Sequence, residues 1–306
     1  ERTEGMVAET EATAKGAAWW PLGRIAYAWT LMRRWPVLPG LVLFSLIMVA
    51  ILAPVIAKES PRKGSPLYRH IPPAWTAEGT SQHLLGTDQA GRDVFSRMVF
   101  GARVSLMVAA VSLASGFVIG SSLGIITGYI GGWWDEVIMR LVDIWQSTPF
   151  LMVALVLVIV IGQSMYTLYG LLAMLAWVQF VRVVRGQTMQ LKQMDYVSLA
   201  RVAGSGPIRI MYRHIAPGIL NSAVVIATLN VGVLILAEAS LSFLGAGIPP
   251  PTPSWGMMVG EGRGYIQEAW WTTVFPGAAI FLTVMSLNFM GDWLRDKLDP
   301  RLRQLV

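Results

Sequence analysis

Five stretches of this chain carry no Asp, Glu, Lys or Arg: residues 37–57, 104–130, 144–181, 215–237 and 269–291. A helix that crosses a bilayer needs about 20 consecutive apolar residues. A helix on the surface of a soluble core keeps a charged face instead. The third stretch is too long for one span and is interrupted at Gly162-Gln163-Ser164. Divided there, the pattern predicts an all-α integral membrane protein with six transmembrane helices. Composition agrees, with 54% hydrophobic and 14% charged residues and a mean hydropathy of +0.54.

The spans divide the chain into a polar tail over residues 1–36, a first transmembrane helix over 37–57, an outer loop over 58–103, a core of five further helices over 104–294, and an inner tail over 295–306. Residues 37–57 begin too deep in the chain for a cleaved signal and read as a retained anchor. Basic residues mark the inner side of a membrane protein. The cluster Arg182, Arg185, Lys192, Arg201, Arg209 and Arg213 therefore places its segment, and both termini, in the cytoplasm. The loop over 58–103, with Pro61, Pro66, Pro72 and Pro73, is expected to be irregular and to fold against the membrane domain. A second outer segment follows over 244–268. The net charge of +6 reads as basic inner segments, not as a nucleic-acid surface. With no Cys, disulfides, thiolate metal sites and Cys nucleophiles are excluded. His70, His83 and His214 lack paired ligand spacing, so no metal site is expected. His83 and Asp88 read as parts of a loop hydrogen-bond network.

The most informative segment runs from Asp195 to Pro217. Asp195 suits a helix N-cap, and Gly204 suits the left-handed position that ends a helix. Tyr196, Leu199, Ala200 and Ala203 then share one face. Pro207 opens the next helix. A short amphipathic helix over about 195–204 is thus expected between two spans, its apolar stripe facing either lipid headgroups or another protein.

This segment resembles the "EAA" loop of binding-protein-dependent ABC importer permeases, in Gly204 and in the ending His214-Ile215-Ala216-Pro217. Three further stretches narrow the likeness to the C-type permease subunit of dipeptide and oligopeptide importers. They are His83-Leu-Leu-Gly-Thr-Asp-Gln-Ala-Gly-Arg-Asp93, Glu238-Ala-Ser-Leu-Ser-Phe-Leu-Gly245 and Gly291-Asp-Trp-Leu-Arg-Asp-Lys-Leu-Asp-Pro300, and Pro253-Ser-Trp-Gly256 fits as well. The family's Glu-Ala-Ala is Ser198-Leu199-Ala200 here. The resemblance implies a type I ABC importer permease fold. It makes Asp195, Tyr196, Val197, Ser198, Leu199, Ala200, Arg201, Val202, Ala203 and Gly204 the coupling helix that docks on an ATPase. The implied partners are a homologous B-type permease, two P-loop ATPase subunits that bind ATP and Mg, and an extracytoplasmic substrate-binding protein delivering peptide. Relatives import nickel, oligosaccharides or opines, which are the alternative cargoes. No cofactor is expected in this chain, because a P-loop needs Gly-Lys-Ser/Thr and the sequence has no Gly-Lys.

A membrane-embedded hydrolase is the rival class. Gly120-Ser-Ser122-Leu-Gly124 satisfies the nucleophile-elbow pattern, but an elbow follows a strand and this run lies mid-span. Gly116, Gly120, Gly124 and Gly128 instead form a small-residue stripe for close helix packing. The chain is therefore read as no enzyme. Glu238, at the end of an apolar stretch, either faces the translocation path as an outer gate or bonds to the Gly-rich loop that follows. Asp143 reads as the partner of Arg140.

Overall fold

The computed structural model describes residues 36–298. The tails expected over 1–36 and 295–306 therefore lie largely outside the described residues. The helices are α1 Val37–Ile51, α2 Ala53–Ile56, α3 Val94–Ile130, α4 Gly132–Ser147, α5 Phe150–Ile161 and α6 Met165–Leu191. They continue with α7 Asp195–Val202, α8 Pro207–Ile210, α9 Ala216–Phe243, α10 Trp255–Gly262 and α11 Trp271–Leu298. No β-strand forms among the described residues; Thr87 and Asp93 make only an isolated bridge. Between α8 and α9 the chain passes through a wide turn at Met211–Ile215, where the Ala216 N–H reaches back five residues to the Met211 carbonyl.

Four stretches are long and apolar enough to cross a membrane: α3, α6, α8 running into α9, and α11. α4 and α5, which meet at 93°, are long and apolar enough only when taken together, as a broken span or a re-entrant loop. The sixth apolar segment is α1, continued after Leu52 by α2. At 15 residues, α1 alone falls short of the about 20 that a straight crossing needs.

The break expected at Gly162-Gln163-Ser164 falls between α5 and α6, where Ser164 caps α6 by accepting from the Thr167 N–H at 3.0 Å. The stretch before it differs from expectation. It starts at Gly132 rather than Ile144 and bends again at Thr148-Pro149, because the charge-free rule overlooks an amphipathic helix. The second span also begins earlier than residue 104. Asp93 accepts from the Ser96 N–H at 2.7 Å, so α3 starts at Val94 and the outer loop is shorter than expected.

Small residues set the core. Gly116, Gly120, Gly124 and Gly128 are all buried along the seam between α3 and α6. A Cβ on Gly116 would lie 2.4 Å from the Ala176 Cβ, and one on Gly120 2.4 Å from the Trp177 carbonyl oxygen. The same holds at Gly124 against Val181 and at Gly128 against Thr188. Backbones this close gain dispersion contacts that lipid tails cannot replace. Around this seam pack Val108, Leu168, Leu172, Leu234 and Ile235, all buried. The pseudo-elbow Gly120–Gly124 lies inside α3, not at a strand-to-helix turn.

One end of the bundle is closed by the two long connections. The Trp271 indole donates to the Thr87 carbonyl at 3.0 Å, and the Trp255 indole to the Met98 carbonyl at 3.0 Å. Gly256 lets α10 lie on the end of α9, where a Cβ would meet the Ala239 Cα at 2.4 Å.

Candidate functional site

At the opposite end lies α7, held under the bundle by one side and bare on the other. Its N-cap position is Met194 with no side-chain bond, so Asp195 stands in the first helical turn rather than at the cap. There its carboxylate still complements the positive end of the helix dipole. The C-terminal end is as expected. Gly204 has φ +82°, the Ser205 N–H donates to the Ala200 carbonyl at 3.0 Å, and the Gly204 N–H donates to that of Arg201 at 3.1 Å. That paired closure consumes two orphan carbonyls and stops the helix sharply.

Val197 is the anchor of α7. It is fully buried with Val184, Ile210, Ile215 and Ile219. Helical spacing alone places Tyr196, Leu199, Ala200 and Ala203 on one free face. The bare side is instead centred on Leu199 and Val202, which are 68% and 88% exposed. Ala203 is exposed, while Ala200 is half-buried, and the Tyr196 hydroxyl donates to the His214 carbonyl at 3.4 Å. Ile208 and Tyr212 extend the bare apolar surface at 78% and 82% exposed. The shift follows from Val197, which fixes the rotation of the helix and points the residues opposite it outward.

The seat of α7 is rigid. Arg185 on α6 grips Asp135 on α4 with two bonds, 2.5 and 2.6 Å. Lys192 at the end of α6 donates to the Tyr129 carbonyl at 2.5 Å. Ser198 and Arg201 of α7 edge a cleft of about 510 Å³ that Asp135 and Lys192 also line.

Asp143 does not pair with Arg140 as expected. Arg140 bonds Glu136 at 2.6 Å and Asp143 bonds Arg182 at 2.5 Å, because one turn back along α4 offers Arg140 a better-placed carboxylate and α6 crosses beside Asp143. The Glu238 side chain is wholly buried. It accepts from Ser105 at 3.2 Å and from Ser242 at 2.7 Å, and Ser242 in turn bonds Ser254 at 3.4 Å. These bonds tie α3 to α9 and, through Ser254, to the loop that follows.

The motif from His83 to Asp93 builds a charged lock at the closed end. Asp88 accepts from the Ala90 N–H at 2.8 Å, the Arg92 N–H at 2.9 Å and the Arg92 Nε at 2.6 Å, and it pairs with Arg97. Both guanidiniums also reach Glu261 on α10, each at 2.7 Å. His83 meets Asp93 at 3.1 Å. Burial alone would raise the Asp88 carboxyl, but Arg97, Arg92 and the two amides outweigh it and hold it below the usual range. Sequence reasoning misses Glu261 because it lies far along the chain from the motif it completes.

Apolar helices long enough to cross a membrane, with a short amphipathic helix braced at one end, are the architecture of a multi-pass membrane protein. The family of binding-protein-dependent transport system inner membrane components matches residues 120–304. This chain belongs to that family, which makes it a transport component of the inner membrane rather than an enzyme. It is 39% identical over 266 residues to the dipeptide transport system permease protein DppC of Haemophilus influenzae, covering 87% of this chain and 90% of that one. It is 43% identical over 222 residues to the glutathione transport system permease protein GsiD of Escherichia coli, covering 72% and 73%. Its fold is similar to a chain of the MetNI methionine ABC transporter in an inward-facing conformation, at a TM-score of 0.54 and 22% identity, over 66% of this chain and 96% of that one.

Proposed function

We propose that this chain is the transmembrane permease subunit of an ATP-driven importer that moves di- or oligopeptides into the cytoplasm. The observation that carries the reading is the bare face of α7, set on a capped, anchored helix in a permease whose relatives are named for dipeptides and glutathione. In this reading α7 faces the cytoplasm and docks on one of two P-loop ATPase subunits, which bind the ATP and Mg. A homologous B-type permease pairs with the bundle, and a separate binding protein delivers peptide to the closed end. The absence of any Gly-Lys pair in the sequence fits nucleotide handling by a partner. Closure of the ATPases would push α7, and the rigid seat at Arg185 and Lys192 would pass that motion to the spans as a rigid-body displacement.

The test is Val202→Arg in the reconstituted complex. Burying an unpaired charge in a protein groove is strongly unfavourable, so ATPase pull-down, or ATP-linked peptide uptake, should be lost while the chain stays in the membrane. If α7 lies on headgroups instead, the added Arg should be tolerated or favoured. Uptake at the wild-type rate would remove the docking role.

A further inference from the structure

A groove of about 430 Å³ opens between α6, α9 and α11, within the range of small-molecule sites, about 300–1,000 Å³. One stripe of α9 forms its floor. Asn221, Val225 and Leu229 recur four residues apart, and Ser222 and Ile226 run beside them, which is the spacing of one helix face. The polar residues come first along α9, at the end of the bundle where α7 lies. From Asn221 to Leu229 the floor runs about 12 Å toward the middle of the span, at 1.5 Å per residue, and turns wholly aliphatic. Val183 of α6 adds a further apolar wall. The groove therefore has one wet end and one dry end.

Arg295, in the last turn of α11, stands at the same groove. Its charge complements the negative end of the helix dipole, but among the described residues its guanidinium makes no ion pair or hydrogen bond. Asn221 and Ser222 also have no side-chain bond there. Asp292 and Asp296 are the nearest acids along α11, both exposed. Asp292 lines a different hollow, with Leu236 and Phe289. The wet end thus offers guanidinium, amide and hydroxyl donors, with a net positive charge and no partner for them.

Three kinds of occupant meet such a groove differently. A dissolved anion would use the wet end and leave the aliphatic floor bare. An apolar helix would cover the floor and bury an unpaired guanidinium, which is strongly unfavourable. An anionic amphiphile satisfies both ends. A phosphate accepts from a guanidinium in charge-assisted bonds, and an acyl chain covers Val225, Ile226 and Leu229. Basic pockets between membrane helices on the cytoplasmic side suit anionic headgroups, and the basic segment over 182–213 marks this end as the inner one. We propose that the groove is a binding site for one anionic phospholipid of the inner leaflet, its phosphate on Arg295, Asn221 and Ser222 and its acyl chain along α9. The lipid bridges α6, α9 and α11, so the integrity of this end depends on membrane composition. Nothing in this depends on the cargo.

The test uses the chain purified with its partner proteins in detergent. Phosphatidylglycerol or phosphatidylcholine is added at equal concentration, and retained lipid is counted by native mass spectrometry. The complex should keep phosphatidylglycerol about fivefold better, the worth of one basic residue near an anionic headgroup. Arg295→Gln should bring the two lipids level, whereas Arg140→Gln, which removes an exposed cation outside the groove, should leave the preference intact. Asn221→Leu should weaken it in the same direction if Arg295→Gln fails to assemble. Ile226→Trp, filling the dry end, should lower retention of both lipids. Equal retention by the wild-type complex would overturn the site, leaving only an unselective lipid annulus. A preference that survives Arg295→Gln would place it elsewhere. Displacement of phosphatidylglycerol by water-soluble glycerol phosphate, or indifference to Ile226→Trp, would reduce the groove to a free-anion site. Retention by the isolated chain but not by the complex would give the groove to a partner protein instead.

Discussion

Asp88 is the residue on which the closed end depends. Its carboxylate holds two guanidiniums, and Arg97 is 1% exposed. Removing one member of a buried ion pair strands the other and costs about 3–5 kcal/mol. Asp88→Ala should therefore lower the melting temperature of the purified chain and open the outer loop to protease. The sign of the pH dependence follows from the lowered carboxyl. Its contribution is complete above the ordinary carboxylate pKa of about 3.9 and fades only as pH falls through the lower folded value. The difference between Asp88→Ala and wild type should thus be flat from about pH 5 to about pH 8; a deficit that grows within that range would point to a different group. The motif containing Asp88 is legible in the sequence as a loop network. Its far partner Glu261 is not, because nothing local links residues so distant in the chain.

At the scale of elements, the α3–α6 seam is the most exacting contact. A side chain on Gly120 would meet backbone, the Trp177 carbonyl, which cannot swing aside. Gly120→Leu should cost about 1–3 kcal/mol or more by overpacking, read as lost yield or melting temperature. Gly170, on α6, is the matched control, because a Cβ there would meet nothing within 4 Å. Gly170→Ala should be neutral or gain about 0.5–1 kcal/mol. Equal behaviour of the two variants would show that the seam is looser than its geometry. The four-residue glycine spacing makes this stripe readable from sequence, since its period matches a helix face. The α4–α5 bend is not readable in the same way, although Pro149 is in plain view. A rule that looks for uncharged runs discards the amphipathic half of a bent pair, and Asp143 hides the helix that contains it. The rotation of α7 escapes for a related reason: Val197, Leu199 and Val202 are all apolar, and only the tertiary seat selects which one turns inward.

For the whole molecule, the described helices and the basic inner segment predict opposite exposures for the two ends. Ser81 lies in the outer connection and is exposed, and Leu199 is on the bare side of α7. In intact cells an impermeant thiol reagent should label Ser81→Cys from outside and reach Leu199→Cys only after the membrane is opened. The reverse pattern would invert the topology and, with it, the docking role of α7. The number of apolar segments is legible because lipid admits so few backbone solutions; their continuity is not, because bends are set by packing.

The wide turn at Met211–Ile215 governs how these ends communicate. Ile210, Ile215 and Ile219 all enter one buried cluster, yet in uniform α-helix Ile210 and Ile215 would diverge by about 140° at 100° per residue. The turn adds one residue of slack and brings them back into phase. Winding the same residues into uniform α-helix would leave the hydrogen bonds of α9 intact while spinning α8, and α7 behind it, by about 100°. Val197 would swing out of its seat and Val202 would turn away from any partner. The angular timing of the machine is therefore stored in one backbone irregularity, not in the side chains that make the contact.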